Sequence, residues 1–209
     1  MTNTKIGAVD RDSSVDKVEQ ILKGAMCEFL KHGYAGTSMD KVAVAAGVSK
    51  ATVYSHFQDK EGLFKVLIEK LARKKFNLIF GTEPIVGEPI TVLKDLGTRA
   101  LETMNNDQEH RAFMRVLIGE SGRFPELAQI CVRSMIKPTL EALSQYLKAY
   151  PELNIPDPEA TARILLGTLV YFHITQEVMH GKDILPMAGD RVIDAITHLI
   201  ISSAKSSEL

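Results

Sequence analysis

The segment Thr37–Lys60, TSMDKVAVAAGVSKATVYSHFQDK, constrains the fold more than any other part of the chain. Its apolar residues recur at helical spacing, yet the punctuation leaves room only for two short helices joined by a tight turn. Thr37 or Ser38 caps the first, which runs through Ala46 with Val42 and Ala43 facing inward. Gly47 breaks it, free to take a positive φ at the turn. Ser49 caps the second, Lys50 to about Phe57, which turns Val53 and Phe57 inward and leaves Lys50, Thr52, Ser55 and His56 outward. Both neighbours of this pair are helical in pattern. Upstream, Ile21, Leu22, Ala25, Met26, Phe29 and Leu30 place a helix from near Asp16 to Gly33. Downstream, Asp59 opens a longer one, with Leu63, Phe64, Leu67, Ile68 and Leu71 on one stripe.

The rest of the chain repeats the helical theme. Residues 1–13 lack periodicity and read as a flexible arm. After Phe80 the run GTEPIVGEP is the densest cluster of Gly and Pro and reads as a connection between domains. Helical patterns follow at roughly 90–106, 108–122, 125–149, 157–180 and 188–205. Neither a β-hairpin signal nor an internal repeat is visible. Aromatic residues are only 6% of the 209, Trp is absent, and Gly (14) and Pro (8) are sparse, which favours an all-α chain. The expected domains are the arm, 14–80 and 81–209. Within the last, Ile164–Ile174 leaves almost no polar face, and Val192, Ile193, Ile196, Leu199, Ile200 and Ile201 form a wide apolar stripe. Helices this apolar must be covered on most sides. A second subunit covers them well, and the expectation is a homodimer.

Charge divides the two parts. Residues 1–80 carry 13 basic and 9 acidic side chains (net +4), and residues 81–209 carry 12 and 17 (net −5). An anionic partner is expected for the first part alone. The two cysteines, Cys27 and Cys131, lie far apart without zinc-spaced neighbours, so neither a disulfide framework nor a structural zinc site is expected. No stretch reads as a signal peptide, and the apolar run Ile164–Ile174, broken by Gly167, Thr168 and His173, is too short to cross a bilayer. A cytoplasmic protein without membrane partners follows as the expectation.

Two short helices meeting across Ala46-Gly47-Val48-Ser49 have helix-turn-helix spacing, in which the second helix enters the DNA major groove. A helical hairpin inside any all-α protein can look similar. The wider stretch ILKGAMCEFLKHGYAGTSMDKVAVAAGVSKATVYSHFQDKEGLF is more specific: it resembles the DNA-binding domain of the TetR family of transcriptional regulators. The resemblance rests on Gly33-Tyr34, Thr37-Ser38, Ala46-Gly47-Val48-Ser49, Thr52 to Phe57, and Lys60-Glu61-Leu63. Gly24, where a better helix former is usual, and Cys27 depart from the pattern. The resemblance implies an N-terminal three-helix DNA-binding domain and a C-terminal helical domain for ligand binding and dimerisation. It implies a regulator, a repressor above all, that binds double-stranded DNA at a palindromic operator and is released by a small, partly hydrophobic effector. The helix around 108–122 would press on the fourth helix to transmit that release. In this reading Tyr54 and His56 match the family's phosphate-contacting pair, and Lys60 its phosphate-pairing lysine. Thr37, at a helix start, can offer its hydroxyl and backbone N–H groups to a phosphate. Lys50, Ala51 and Thr52 lie nearest the base edges, where Lys50 can donate to guanine O6/N7 and the Ala51 and Thr52 methyls can touch thymine, and Ser49 joins the expected DNA-binding residues. Tyr54 also reads as a plain core aromatic.

In the second part, Phe113, Leu117, Met135, Tyr171 and His173 are the expected lining of one effector cavity, with Tyr171 and His173 as its few polar groups. His173 and Glu177 lie four apart on a helix, but no third ligand makes them a metal pair, and a core histidine or a ligand hydrogen bond is the simpler reading. Without a Gly-rich phosphate loop or a nucleophile–base pair, the chain is not expected to be an enzyme or to carry a cofactor.

Overall fold

The computed structural model describes residues 6–205, with side chains described for residues 16–202. Among the described residues every regular element is helical: α1 (Ile6–Gly36), α2 (Met39–Ala46), α3 (Lys50–His56), α4 (Lys60–Phe80), α5 (Pro89–Asn105), α6 (Gln108–Glu120), α7 (Pro125–Cys131), α8 (Lys137–Lys148), α9 (Pro158–His173) and α10 (Gly189–Lys205). A π-helical turn, Val132–Ile136, joins α7 to α8, and a second, Ile174–Val178, extends α9. The boundaries follow cap chemistry closely. Side chains of Ser38, Ser49, Glu88 and Asp157 accept a backbone N–H of the first turn at the starts of α2, α3, α5 and α9. The Asp59 carboxylate accepts the Gly62 N–H at 2.7 Å at the start of α4, as expected. At the upstream end the expectation needs correction. α1 begins at Ile6, so the helix takes in most of the stretch read as an arm, and residues 1–5 lie outside the described residues.

The chain forms two compact units. The first ends its upstream part at Lys70 and adds Ala112–Ile130; the second takes Leu71–Arg111 and resumes at Cys131. The expected division at residue 80 is therefore not the one that packing produces. The reason is aromatic. In the first unit Phe64 of α4 meets Phe29 of α1 edge-on (ring centroids 5.1 Å apart) and lies 5.4 Å from Phe113 of α6, while Tyr34 meets Phe124 at 4.9 Å. Such pairs add to the burial of their large surfaces and draw the second half of α6 and α7 into the first core. Ile21, Ala25, Val42, Val53, Leu63 and Ile68 complete that core.

The second unit is built on Leu93, Leu96 and Leu101 of α5, Leu140, Leu143 and Leu147 of α8, Leu165, Leu169 and Phe172 of α9, and Ile193, Ile196 and Ile200 of α10. The sets on α8, α9 and α10 recur at three- and four-residue spacing, as do Leu93, Leu96 and Ala100 on α5, so each helix presents one apolar stripe to the others. No helix among the described residues is long and apolar enough to cross a membrane.

Candidate nucleic-acid interface

The turn between α2 and α3 is set by Gly47, which adopts the left-handed region (φ 64°, ψ 33°). That geometry lets its N–H reach Val44 O at 3.1 Å and the Val48 N–H reach Ala43 O at 3.0 Å, closing the end of α2. Ser49 then caps α3: its hydroxyl oxygen accepts the Thr52 N–H at 3.1 Å and lies 2.8 Å from the Thr52 hydroxyl. Val53 and Phe57 are buried. What α3 leaves outward is a face of Lys50, Ala51, Tyr54, Ser55 and His56, with Thr52 half-buried at its edge. Tyr54 is 51% exposed, which removes it from the core. A short helix pinned by its neighbours and exposing cationic, hydroxyl and methyl groups along one face is the form in which side chains reach base edges and phosphates.

Two of the expected contacts sit differently. Thr37 is buried, and its hydroxyl donates to Gly33 O at 2.8 Å, so its one proton is already committed; the cap of α2 is Ser38. Lys60 turns inward. Its ammonium donates to Tyr34 O at 2.7 Å and Thr37 O at 2.9 Å and stands 4.3 Å from the centre of the Tyr34 ring. The backbone leaves the helical region at Gly33 (φ 68°, ψ 177°), and Lys60 supplies donors to the carbonyls freed there. Burial lowers its pKa, with the Glu120 carboxylate pulling the other way. Tyr34, buried and near Glu61, Glu126 and Asp59, has its phenol pushed up to about 12 and stays neutral. Lys60→Met is accordingly expected to lower stability by about 1–3 kcal/mol through these carbonyls. In salt titrations on random duplex the log–log slope should change by well under one unit per subunit, where a full phosphate contact would change it by about 0.9.

The residues expected to line an effector cavity do not converge within either unit. Phe113 and Leu117 are buried in the first unit. In the second, Met135 is half-buried in the π-turn and Tyr171 is 68% exposed. His173 is buried, with Nδ1 2.8 Å from the Asn105 side-chain oxygen. An apolar stripe on α6 cannot say by itself whether it faces a core or a cavity, and here the Phe64 ring decides. Glu177 lies 3.5 Å from the Lys182 ammonium, and among the described residues no group of three metal-binding side chains occurs.

A buried polar cluster in the second unit is not legible from local sequence, because Lys75 lies 32 positions from the Asp107 it pairs with. Lys75 of α4, only 6% exposed, donates to Thr103 O and to Asp107 Oδ2, each at 3.2 Å. Asp107 Oδ1 accepts the His110 N–H at 2.8 Å, capping α6. His110 is buried, and its Nδ1 has no hydrogen-bond partner among the described residues.

This geometry defines a helix-turn-helix protein, and known proteins say which kind. The profile described as bacterial regulatory proteins of the tetR family matches residues 21–67, and that of the AefR-like transcriptional repressor C-terminal domain matches 91–202. The regulatory protein RaaS of Mycobacterium tuberculosis is 30% identical over 159 residues, covering 76% of this chain and 70% of that protein. A TetR-family regulator from Mesorhizobium loti superposes with a TM-score of 0.74 at 25% identity, over 91% of this chain and 97% of that one. The flavonoid-responsive regulator FrrA superposes with a TM-score of 0.73 at 28% identity, over 90% and 96%. The chain belongs to the TetR family of transcriptional regulators, and it is a DNA-binding regulator and not an enzyme.

Proposed function

We propose that the protein is a homodimeric repressor, acting in the cytoplasm, that holds a palindromic operator and releases it when a small, partly apolar effector binds the second unit. The observation that carries this reading is the exposed face of α3, held in place by Val53, Phe57 and the Gly47 turn. Ser49, Lys50, Ala51 and Thr52 face the bases in this proposal, and Tyr54 and His56 meet phosphates; Thr37 and Lys60 support the fold beneath them. The second-unit cluster of Lys75, Asp107 and His110, with His173 nearby, supplies polar groups for an effector. Lys75 and Asp107 also border a cleft of about 570 Å³ lined by Leu71 and Leu78. FrrA responds to flavonoids, and a ligand of that size and mixed polarity suits this reading.

Dimerisation is proposed through α9 and α10. Ile164 and Tyr171, seven apart on α9, and Leu199 on α10 are exposed apolar side chains. Met187, Val192, Ala195 and Ile196 line a groove of about 320 Å³ together with Leu199. Two subunits related by a twofold axis must read inverted half-sites about 34–36 Å apart or a multiple of that. Footprinting on the region upstream of the protein's own gene should reveal a protected inverted repeat, and sedimentation at micromolar concentration should give a dimer. A monomer there, or protection without twofold symmetry, contradicts the proposal.

A further inference from the structure

Every lysine of the helix-turn-helix is already engaged within the protein. Lys41 donates to Gly36 O at 2.8 Å, and Lys60 faces the end of α1. Lys50, at the N-terminal end of α3, holds the carboxylate of Asp40 across the α2–α3 pair at 2.5 Å. Both partners are well exposed, Lys50 at 64% and Asp40 at 53% of their side chains, so the ion pair lies on the surface. Asp40 also sits in the first turn of α2, where a carboxylate suits the helix dipole. The cation best placed to meet DNA therefore arrives with an anion attached.

We infer that Asp40 is a specificity-determining residue of DNA reading, one that withholds Lys50 from phosphates and aims its ammonium at a base-edge acceptor. The inference rests on the base-reading role proposed for Lys50. A fixed carboxylate beside duplex DNA repels the phosphates whatever the sequence, and pairing cancels the charge that Lys50 would otherwise bring to any backbone. At a matching site the situation differs. An ammonium has three donors, so Lys50 can keep Asp40 and still donate to guanine O6 or N7 in the groove. The carboxylate limits the rotamers of a flexible side chain and so favours that one direction. Non-specific binding is weakened more than specific binding, and discrimination rises.

The test uses the full-length wild type, Asp40→Asn, Lys50→Ala and the double variant. The probes are a duplex selected by the wild type from a random-sequence pool and a scrambled duplex of equal composition. Asp40→Asn is expected to tighten binding to the scrambled duplex by about three- to ten-fold and steepen its log–log salt slope by about one unit per subunit. Binding to the selected duplex should change less, so the ratio falls. Asp40→Glu should restore it, and in the Lys50→Ala background Asp40→Asn should leave the ratio unchanged. A ratio that falls as far in that background would show that Asp40 acts without Lys50 and overturn the inference. So would an unchanged slope and affinity for the scrambled duplex. If Lys50→Ala leaves base preference intact, the base-reading role itself fails and the inference falls with it; a changed preference with a silent Asp40→Asn overturns the inference alone.

Discussion

Gly24→Ala is expected to destabilise the protein, although a helix interior ordinarily gains about 1 kcal/mol from that exchange. Gly24 lies where α1 crosses α2. A Cβ built there would stand 2.7 Å from Ala46 N, 2.9 Å from Ala46 Cβ and 3.0 Å from Ala46 Cα. Two of those three atoms are backbone and cannot rotate away, so the helices must part. Overpacking of this kind costs about 1–3 kcal/mol, enough to outweigh the propensity gain. Valine, with two further carbons and a stiff χ1, should exceed that range. The consequence reaches function because α2 and α3 are joined by a turn fixed at Gly47; displacing α2 displaces the reading face. Melting followed by circular dichroism should show a lower Tm for Gly24→Ala, by up to roughly 8 °C for a chain of this size, and a larger drop for Gly24→Val. Operator affinity should fall in the same order. A Tm raised by the alanine would mean that α1 and α2 separate freely, and this account of the glycine would be wrong.

The same glycine marks where sequence reading ran out. Local patterns were legible: capping side chains at Ser38, Ser49 and Asp59 and the breaker Gly47 place the starts and stops of α2, α3 and α4 within a residue or so. Those signals act over three or four positions, the range over which a sequence can be read directly. Gly24 looks like a weak helix former until the helix it touches is known. Lys60 carries the chemistry of a phosphate ligand, but the carbonyls it reaches, at Tyr34 and Thr37, lie 26 and 23 positions away. Phe113 and Leu117 show a stripe that either a core or a cavity would produce, and Tyr171 shows a ring that either buries or stands out. Where each of these side chains sits depends on tertiary surroundings that the local pattern does not carry. The face of α3 was the exception, because buried Val53 turns Lys50, Ala51, Tyr54 and Ser55 outward by helical geometry, with Phe57 buried just past the helix end.

The protein's stability is expected to fall in mild acid because of His110. Burial, reinforced by the nearby Lys75, His173 and Arg111 charges and only partly countered by Asp107, lowers its pKa from an ordinary 6.5 to about 4. A histidine whose folded pKa lies below its unfolded value binds its proton more readily in the unfolded chain. Stability is therefore undiminished above pH 6.5 and lost progressively as the pH falls towards 4. The shift corresponds to about 3 kcal/mol once both values are passed, and about 2 kcal/mol by pH 5. Other groups of the cluster act in different windows. Burial would raise the Asp107 pKa, but the His110 N–H and Lys75 outweigh it and hold the carboxyl low, so its contribution is lost only below about pH 3.8. Burial lowers the Lys75 pKa from its ordinary 10.5, with Asp107 pulling the other way. His110→Leu removes both the titration and an imidazole nitrogen that has no partner among the described residues. Denaturant unfolding of the wild type and His110→Leu should give similar stabilities near pH 7.5 and curves that diverge below pH 6.5, with the variant ahead by about 2 kcal/mol at pH 5. Parallel curves over that range would mean that the folded protein accommodates a charged His110, and the cluster would then be open enough to hydrate it.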